Sequence, residues 1–216
     1  IGKLHLNAAY HGVEKRVDDG YTYWHYSHGP YGHLSPDETG HDYADWLREK
    51  GVDPEVILSD PARVPDRLHH TTWCAEKAAS FIRGNVGNPW FASVNIFFPH
   101  KPFTPPTEFL DLYDPDAMPP PLYRDSDQET QRQLELIPTQ GGLGTPDKLD
   151  FDDGGKSESL LGGRVDAGTA KARYYALITH IDDKVGQLLD VLDETGQREN
   201  TLIIFTSDHG ELLGDH

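Results

Sequence analysis

Residues 201–216 read TLIIFTSDHGELLGDH, and the rest of the chain can be interpreted outward from this stretch. Leu202, Ile203, Ile204 and Phe205 form an unbroken apolar run, the pattern of a strand buried on both faces in a parallel sheet covered by helices. Polarity returns abruptly at Thr206. Asp208, His209 and Gly210 follow, so a carboxylate and an imidazole are expected at the carboxyl edge of the sheet, where open α/β folds hold their ligands. The plainer alternative is a solvated turn, because Ser, Asp and Gly are ordinary loop residues.

Composition narrows the classes. With 216 residues and 36% hydrophobic content, the chain can bury one substantial core or two small ones. A formal charge of -17 without a long Lys/Arg block excludes a general nucleic-acid or anionic-membrane surface, since phosphates would be repelled. One cysteine, Cys74, excludes an internal disulfide framework. No apolar run approaches the roughly 18 residues that a membrane-spanning helix needs. Ile1 opens the chain and His216 follows directly on the acidic turn, so the sequence is expected to be an internal piece of a longer protein.

Upstream, residues 19–33, DGYTYWHYSHGPYGH, are crowded with aromatic and histidine residues. His25, His28 and His33 lack the cysteine pairs and spacing of a structural zinc site, and a packed aromatic loop is expected. Tyr43, Trp46 and Leu47 fall at helical spacing between Glu38 and Lys50, with Thr39 as cap and Gly51 as stop. Pro54, Pro61 and Pro65 punctuate a connector before a second helix, Thr71 to Arg83, that contains Cys74. That thiol is expected to be a small buried hydrophobe without chemistry.

Trp90 to Phe98, WFASVNIFF, reads as a second buried strand ending at Pro99, His100, Lys101 and Pro102. The prolines restrict the backbone, so two cations project from a stiff edge, an arrangement suited to an anion. Residues 104–163 are polar, acidic and rich in Gly and Pro; a long surface excursion is expected there. Asp150, Asp152 and Asp153 lack the spacing and later glutamate of an EF-hand. From Asp166 to Thr195 an apolar stripe (Tyr174, Leu177, Ile178, Ile181, Val185, Leu188, Leu192) marks a long helix stopped by Gly196. Asp182 and Asp183 beside that stripe are expected to be structural.

Alternating strands and helices predict an α/β layered fold with a largely parallel sheet flanked by helices. The chemistry-bearing residues fall at strand ends: Lys3 and His5, His100 and Lys101, Asp208 and His209. Brought together, they would form a pocket with cationic donors on one side and metal-binding groups on the other, suited to a tetrahedral oxyanion ester.

Three segments carry a family resemblance. GKLHL at 2–6 resembles the Gly-Lys-x-His-Leu motif of the type I sulfatases, within the alkaline phosphatase superfamily, and FFPHKPF at 97–103 resembles their Pro-His-x-Pro turn. YYALITHIDDKVGQLLDVLDETGQRENTLIIFTSDHGELLGDH at 174–216 is similar to the family's helix, strand and metal-site block. The resemblance spans nearly the whole chain in order, weakest in the aromatic loop and the 104–163 excursion. It implies a sulfatase catalytic domain truncated at both ends, covering residues 1–216, whose parent hydrolyses a small-molecule or carbohydrate sulfate ester.

Particular roles follow from the same resemblance. Lys3 would bind the sulfate and help position the nucleophile. His5 would be the base that frees sulfate from the enzyme intermediate, and His100 would hold the ester oxygen and assist its departure. Asp208 would be a metal carboxylate with His209 beside it, the metal most readily Ca2+, with Mn2+ or Zn2+ also compatible with an Asp-His pair. The family's Cys/Ser-x-Pro-x-Arg nucleophile motif, whose cysteine becomes formylglycine, is not in this sequence, and neither is the early Asp-Asp pair nor the lysine expected after His216. The segment alone is therefore expected to bind metal weakly and not to turn over a sulfate ester. Two alternatives stand beside this: a phosphonate or phosphate ester hydrolase of the same superfamily, and a non-catalytic anion-binding domain.

Overall fold

The computed structural model describes residues 1–3, 20–27, 29–30, 42–134 and 165–215. Five α-helices lie within them: α1 (Asp42–Glu49), α2 (Pro54–Ser59), α3 (His70–Gly84), α4 (Asp125–Leu134) and α5 (Ala167–Glu194). α1 is described from Asp42, and the expected cap Thr39 and the start at Glu38 lie outside the described residues. Asp42 turns back on the aromatic loop, its backbone N–H donating to the Tyr26 carbonyl and its carboxylate accepting from the Tyr26 N–H. The connector after α1 is more ordered than its prolines suggest, because Asp53 caps α2 through the Glu55 N–H and Pro54 sits in the first turn, where no N–H is needed.

The core is assembled where α1, α3 and α5 meet. Tyr43, Trp46 and Leu47 of α1, Trp73 and Cys74 of α3, and Ala170, Leu177 and Ile181 of α5 are buried together with Phe98 and Phe103. Each fully buried side chain of leucine size or larger contributes about 1.5–3 kcal/mol through water released from apolar surface. α5 starts at Asp166, whose carboxylate accepts from the Thr169 N–H. It stops where Gly196 turns to a φ of +68°, a conformation that costs little only without a Cβ. Trp90 and Gln197 then tie the segment before His100 to the end of α5, indole Nε1–H to side-chain oxygen at 2.9 Å.

The expected sheet is the principal difference. Among the described residues it consists of two isolated parallel bridges, Gly2 with Tyr26 and Gly2 with Asn95, so the parallel direction is present but extended ladders are not. Leu202, Ile203, Ile204 and Phe205 are 86%, 44%, 78% and 75% exposed, where burial on both faces was expected. The physical reason is pairing: a strand is held by hydrogen bonds to neighbours, and among the described residues no backbone hydrogen bond reaches 202–205. Residues 104–117, the start of the expected surface excursion, carry local turns that rest on α5. Thr104 is buried, Tyr113 Oη bonds to Thr179 Oγ1 at 2.8 Å, and the 310 turns Thr107–Leu112 and Pro115–Ala117 run along α5.

Candidate active site

Gly2 fixes where Lys3 stands. The Gly2 N–H donates to the His25 carbonyl, Asn95 N–H to Ile1, and Lys3 N–H to Asn95, each at 2.8 to 2.9 Å. Gly2 has a φ of +100°, and a Cβ there would overlap the Asn95 carbonyl. The glycine is therefore required both for its backbone angle and for the close approach of the two segments. One residue later the Lys3 ammonium lies 4.6 Å from the centroid of the Phe97 ring, a cation–π distance.

Phe97 also opens the turn that bears His100. The His100 N–H donates to the Phe97 carbonyl at 3.2 Å, and the two rings are 4.8 Å apart. The peptide bonds preceding Pro99 and Pro102 are cis. His100 Nδ1 is 2.6 Å from the Lys101 carbonyl; a carbonyl only accepts, so Nδ1 carries the proton and Nε2 remains for a ligand. Lys3 and His100, read separately from two motifs, thus meet on one aromatic ring.

A buried polar cluster backs this turn and was not evident beforehand. Asp66 accepts from His180 Nε2 at 2.8 Å, Lys184 Nζ at 2.8 Å and Thr72 Oγ1 at 2.6 Å. Burial opposes ionisation of Asp66, but the bonds from His180, Lys184 and Thr72 outweigh it and hold the carboxyl well below its usual range. Next to it, His69 accepts the Thr71 N–H on Nδ1 and donates from Nε2 to the Thr104 carbonyl, while its ring lies 4.6 Å from that of Phe98. Complete burial, with His180 close by, keeps His69 neutral. A usable sequence signal existed: His180 and Lys184 are one helical turn apart beside the buried Ile181, and polar groups on an apolar stripe require hydrogen-bonding partners, for the lysine a carboxylate.

His70 is likewise buried, its Nε2 without a hydrogen-bond partner among the described residues, and burial followed by the charge of Lys3 pushes its pKa down to about 3. Cys74 behaves as expected of an inert thiol: it is fully buried, and burial raises its pKa to about 12. His25 packs edge-on against Tyr23 and faces Asp42 at 3.4 Å, as a packed aromatic loop requires; His28 and His33 lie outside the described residues. Asp183 pairs with Lys184 at 3.0 Å, a structural use.

His5 lies outside the described residues. Asp208 and His209 are exposed, with side-chain exposures of 90% and 65% and a separation of 3.8 Å. His209 Nδ1 donates to the Gly210 carbonyl at 2.8 Å; this bond, then Asp208, raises the pKa of the imidazole. No group of three or more His, Cys, Asp or Glu among the described residues could hold a metal. A hard dication such as calcium takes six to eight oxygens, so Asp208 and His209 alone do not make such a site. Downstream, Leu213 packs on the main core, and Asp215 accepts from Lys171 Nζ at 3.4 Å and from the Leu122 N–H at 2.8 Å, which anchors the segment beyond the exposed turn.

Comparison with known proteins places these features in context. The family model described as Sulfatase matches residues 17–216. The chain is 30% identical to an arylsulfatase of Clostridium perfringens, over all of this chain and 44% of that protein. It is 33% identical to the multifunctional alkaline phosphatase superfamily protein PehA of Trinickia caryophylli, over 79% of this chain and 33% of that protein. The chain thus spans less than half the length of these relatives. Among solved structures, the phosphonate monoester hydrolase of Silicibacter pomeroyi superposes with a TM-score of 0.62 at 23% identity, covering 82% of this chain and 37% of that one. The Agrobacterium radiobacter phosphonate monoester hydrolase gives 0.59 at 25% identity, over 84% and 40%. Both likenesses agree with an alkaline-phosphatase-like fold, whose sheet the described residues do not themselves show. No helix among the described residues is long and apolar enough to cross a membrane.

Proposed function

Because the chain belongs to the sulfatase family, matched over residues 17–216, we propose that it forms part of the catalytic domain of a hydrolase that cleaves a sulfate monoester. The observation that supports this most is the meeting of Lys3 and His100 on the Phe97 ring. Two basic groups at one point of an acidic protein suit an anionic substrate.

In this reading the Lys3 ammonium pairs with a non-bridging oxygen of the ester. His100 faces the bridging oxygen through Nε2, its Nδ1–H being committed to the Lys101 carbonyl. A protonated ring then donates a hydrogen bond to that oxygen as negative charge builds on it. His5 serves as the base in the later release of sulfate. Asp208 and His209 would help to hold a divalent cation, most readily Ca2+, together with ligands from outside the described residues. The formylglycine nucleophile is likewise supplied from outside this sequence. When bound, the cation would supply positive charge at the reacting centre.

A second reading is phosphonate or phosphate ester hydrolysis by the same site, favoured by the fold likeness to two phosphonate monoester hydrolases. Parallel kinetics of the full-length protein on 4-nitrophenyl sulfate and a 4-nitrophenyl phosphonate monoester separate the two. A higher kcat/KM on the sulfate supports the first reading, a higher value on the phosphonate supports the second, and no turnover of either contradicts both.

A further inference from the structure

The Phe97 side chain is in contact with both Lys3 and His100, and nothing in the motifs assigns it a task. Its own position is fixed from several sides. Phe98 meets it edge-on at 5.3 Å and 85°, and His70 at 6.3 Å and 71°. Gly29 closes a third side: a Cβ at that position would come within 3.3 Å of Phe97 Cε2. The Ser27 hydroxyl holds this backbone by donating to the Gly29 carbonyl at 2.9 Å.

We propose that Phe97 is a positioning residue whose ring sets the spacing between the Lys3 ammonium and the His100 imidazole. The inference rests on the hydrolase reading above for its catalytic consequence, though not for the contact itself. A long lysine side chain has many rotamers, so without a support its ammonium holds no fixed distance from the imidazole. An aromatic face gives the ammonium a favourable resting place that costs little desolvation. A ring clamped by Phe98, His70 and Gly29 cannot follow the lysine, so the lysine follows the ring. The substrate then meets two groups already at their working separation, which favours the transition state more than initial binding.

The test uses the full-length protein with Phe97→Leu, Phe97→Met and Phe97→Tyr variants. For Leu and Met, kcat on the preferred 4-nitrophenyl ester should fall about tenfold with KM changed less than threefold, the size expected for losing a cation–π contact. Tyr, which keeps the aromatic face, should restore kcat to within about twofold. A merely structural role predicts lowered Tm with unchanged kcat per folded molecule, and that result overturns the proposal. A separate readout needs no turnover: after reductive methylation with 13C-formaldehyde, the Lys3 methyl resonance, assigned with Lys3→Arg, should be displaced upfield by the ring. An undisplaced resonance in the wild-type protein also overturns the proposal. If the wild type hydrolyses neither ester while the Lys3 resonance is displaced, the hydrolase reading fails and the ring contact stands.

Discussion

The Gly2 backbone lies against the Asn95 carbonyl so closely that a side chain at position 2 would collide with it. This is the joint that brings the GKLHL segment beside the one leading to His100. With φ at +100°, Gly2→Ala should destabilise the full-length protein by about 1–3 kcal/mol from backbone strain alone. Separation of Lys3 from Phe97 should follow. Thermal unfolding measures the first effect, and the methyl resonance of Lys3 the second.

Asp66 predicts a pH dependence with a definite sign. Its folded pKa lies below the ordinary value of 3.8, so its contribution to stability is fully present above 3.8 and is lost as pH falls through the lower, folded value. Asp66→Asn leaves the nearly buried Lys184, 2% exposed, without its main partner, and should cost about 3 kcal/mol near neutral pH. The Tm gap between wild type and variant should narrow as pH drops below 3.8; a gap constant across that window would mean that folding does not lower the pKa of Asp66.

Cys74 should be silent. With the thiol at about 12 and no exposed surface, almost no thiolate forms at neutral pH, and reagent access requires opening of the core. Labelling by Ellman's reagent should be absent from the native chain and complete in denaturant. Rapid native labelling would contradict the packing of α3 described above.

The run Leu202 to Phe205 predicts behaviour of the 216-residue chain on its own. Apolar side chains exposed at 44–86% and free of charge favour self-association. Sedimentation velocity should show concentration-dependent assembly, which Ile204→Lys reduces. A strictly monomeric chain at high concentration, identical to its lysine variant, would argue against an exposed run.

Helices were the legible part of the fold, because their signals are local. The stripe from Tyr174 to Leu192 and the stop at Gly196 define α5 almost to the residue, and Thr71 to Arg83 falls within α3. Sheet formation is not local: WFASVNIFF and LIIF have the composition of buried strands, but pairing depends on segments elsewhere, and the described residues provide only the Gly2 bridges. The same distinction runs through the site. Lys3 and His100 were readable from motifs that are contiguous in sequence. Phe97 looked like one more apolar residue of a strand, and Asp66 like a connector residue just after Pro65, because their partners, Lys3 and His180, are remote along the chain.

The most direct measurement is a double-mutant cycle on the full-length protein, with Lys3→Ala, His100→Ala and the pair, reading kcat/KM on the preferred 4-nitrophenyl ester. If the two groups act at one site, each single change should lower kcat/KM by about 100-fold or more, and the double variant should lose clearly less than the product of the two, as for residues that act as a unit. Single variants with wild-type kcat/KM, or losses that simply multiply, would mean that Lys3 and His100 do not serve a common substrate.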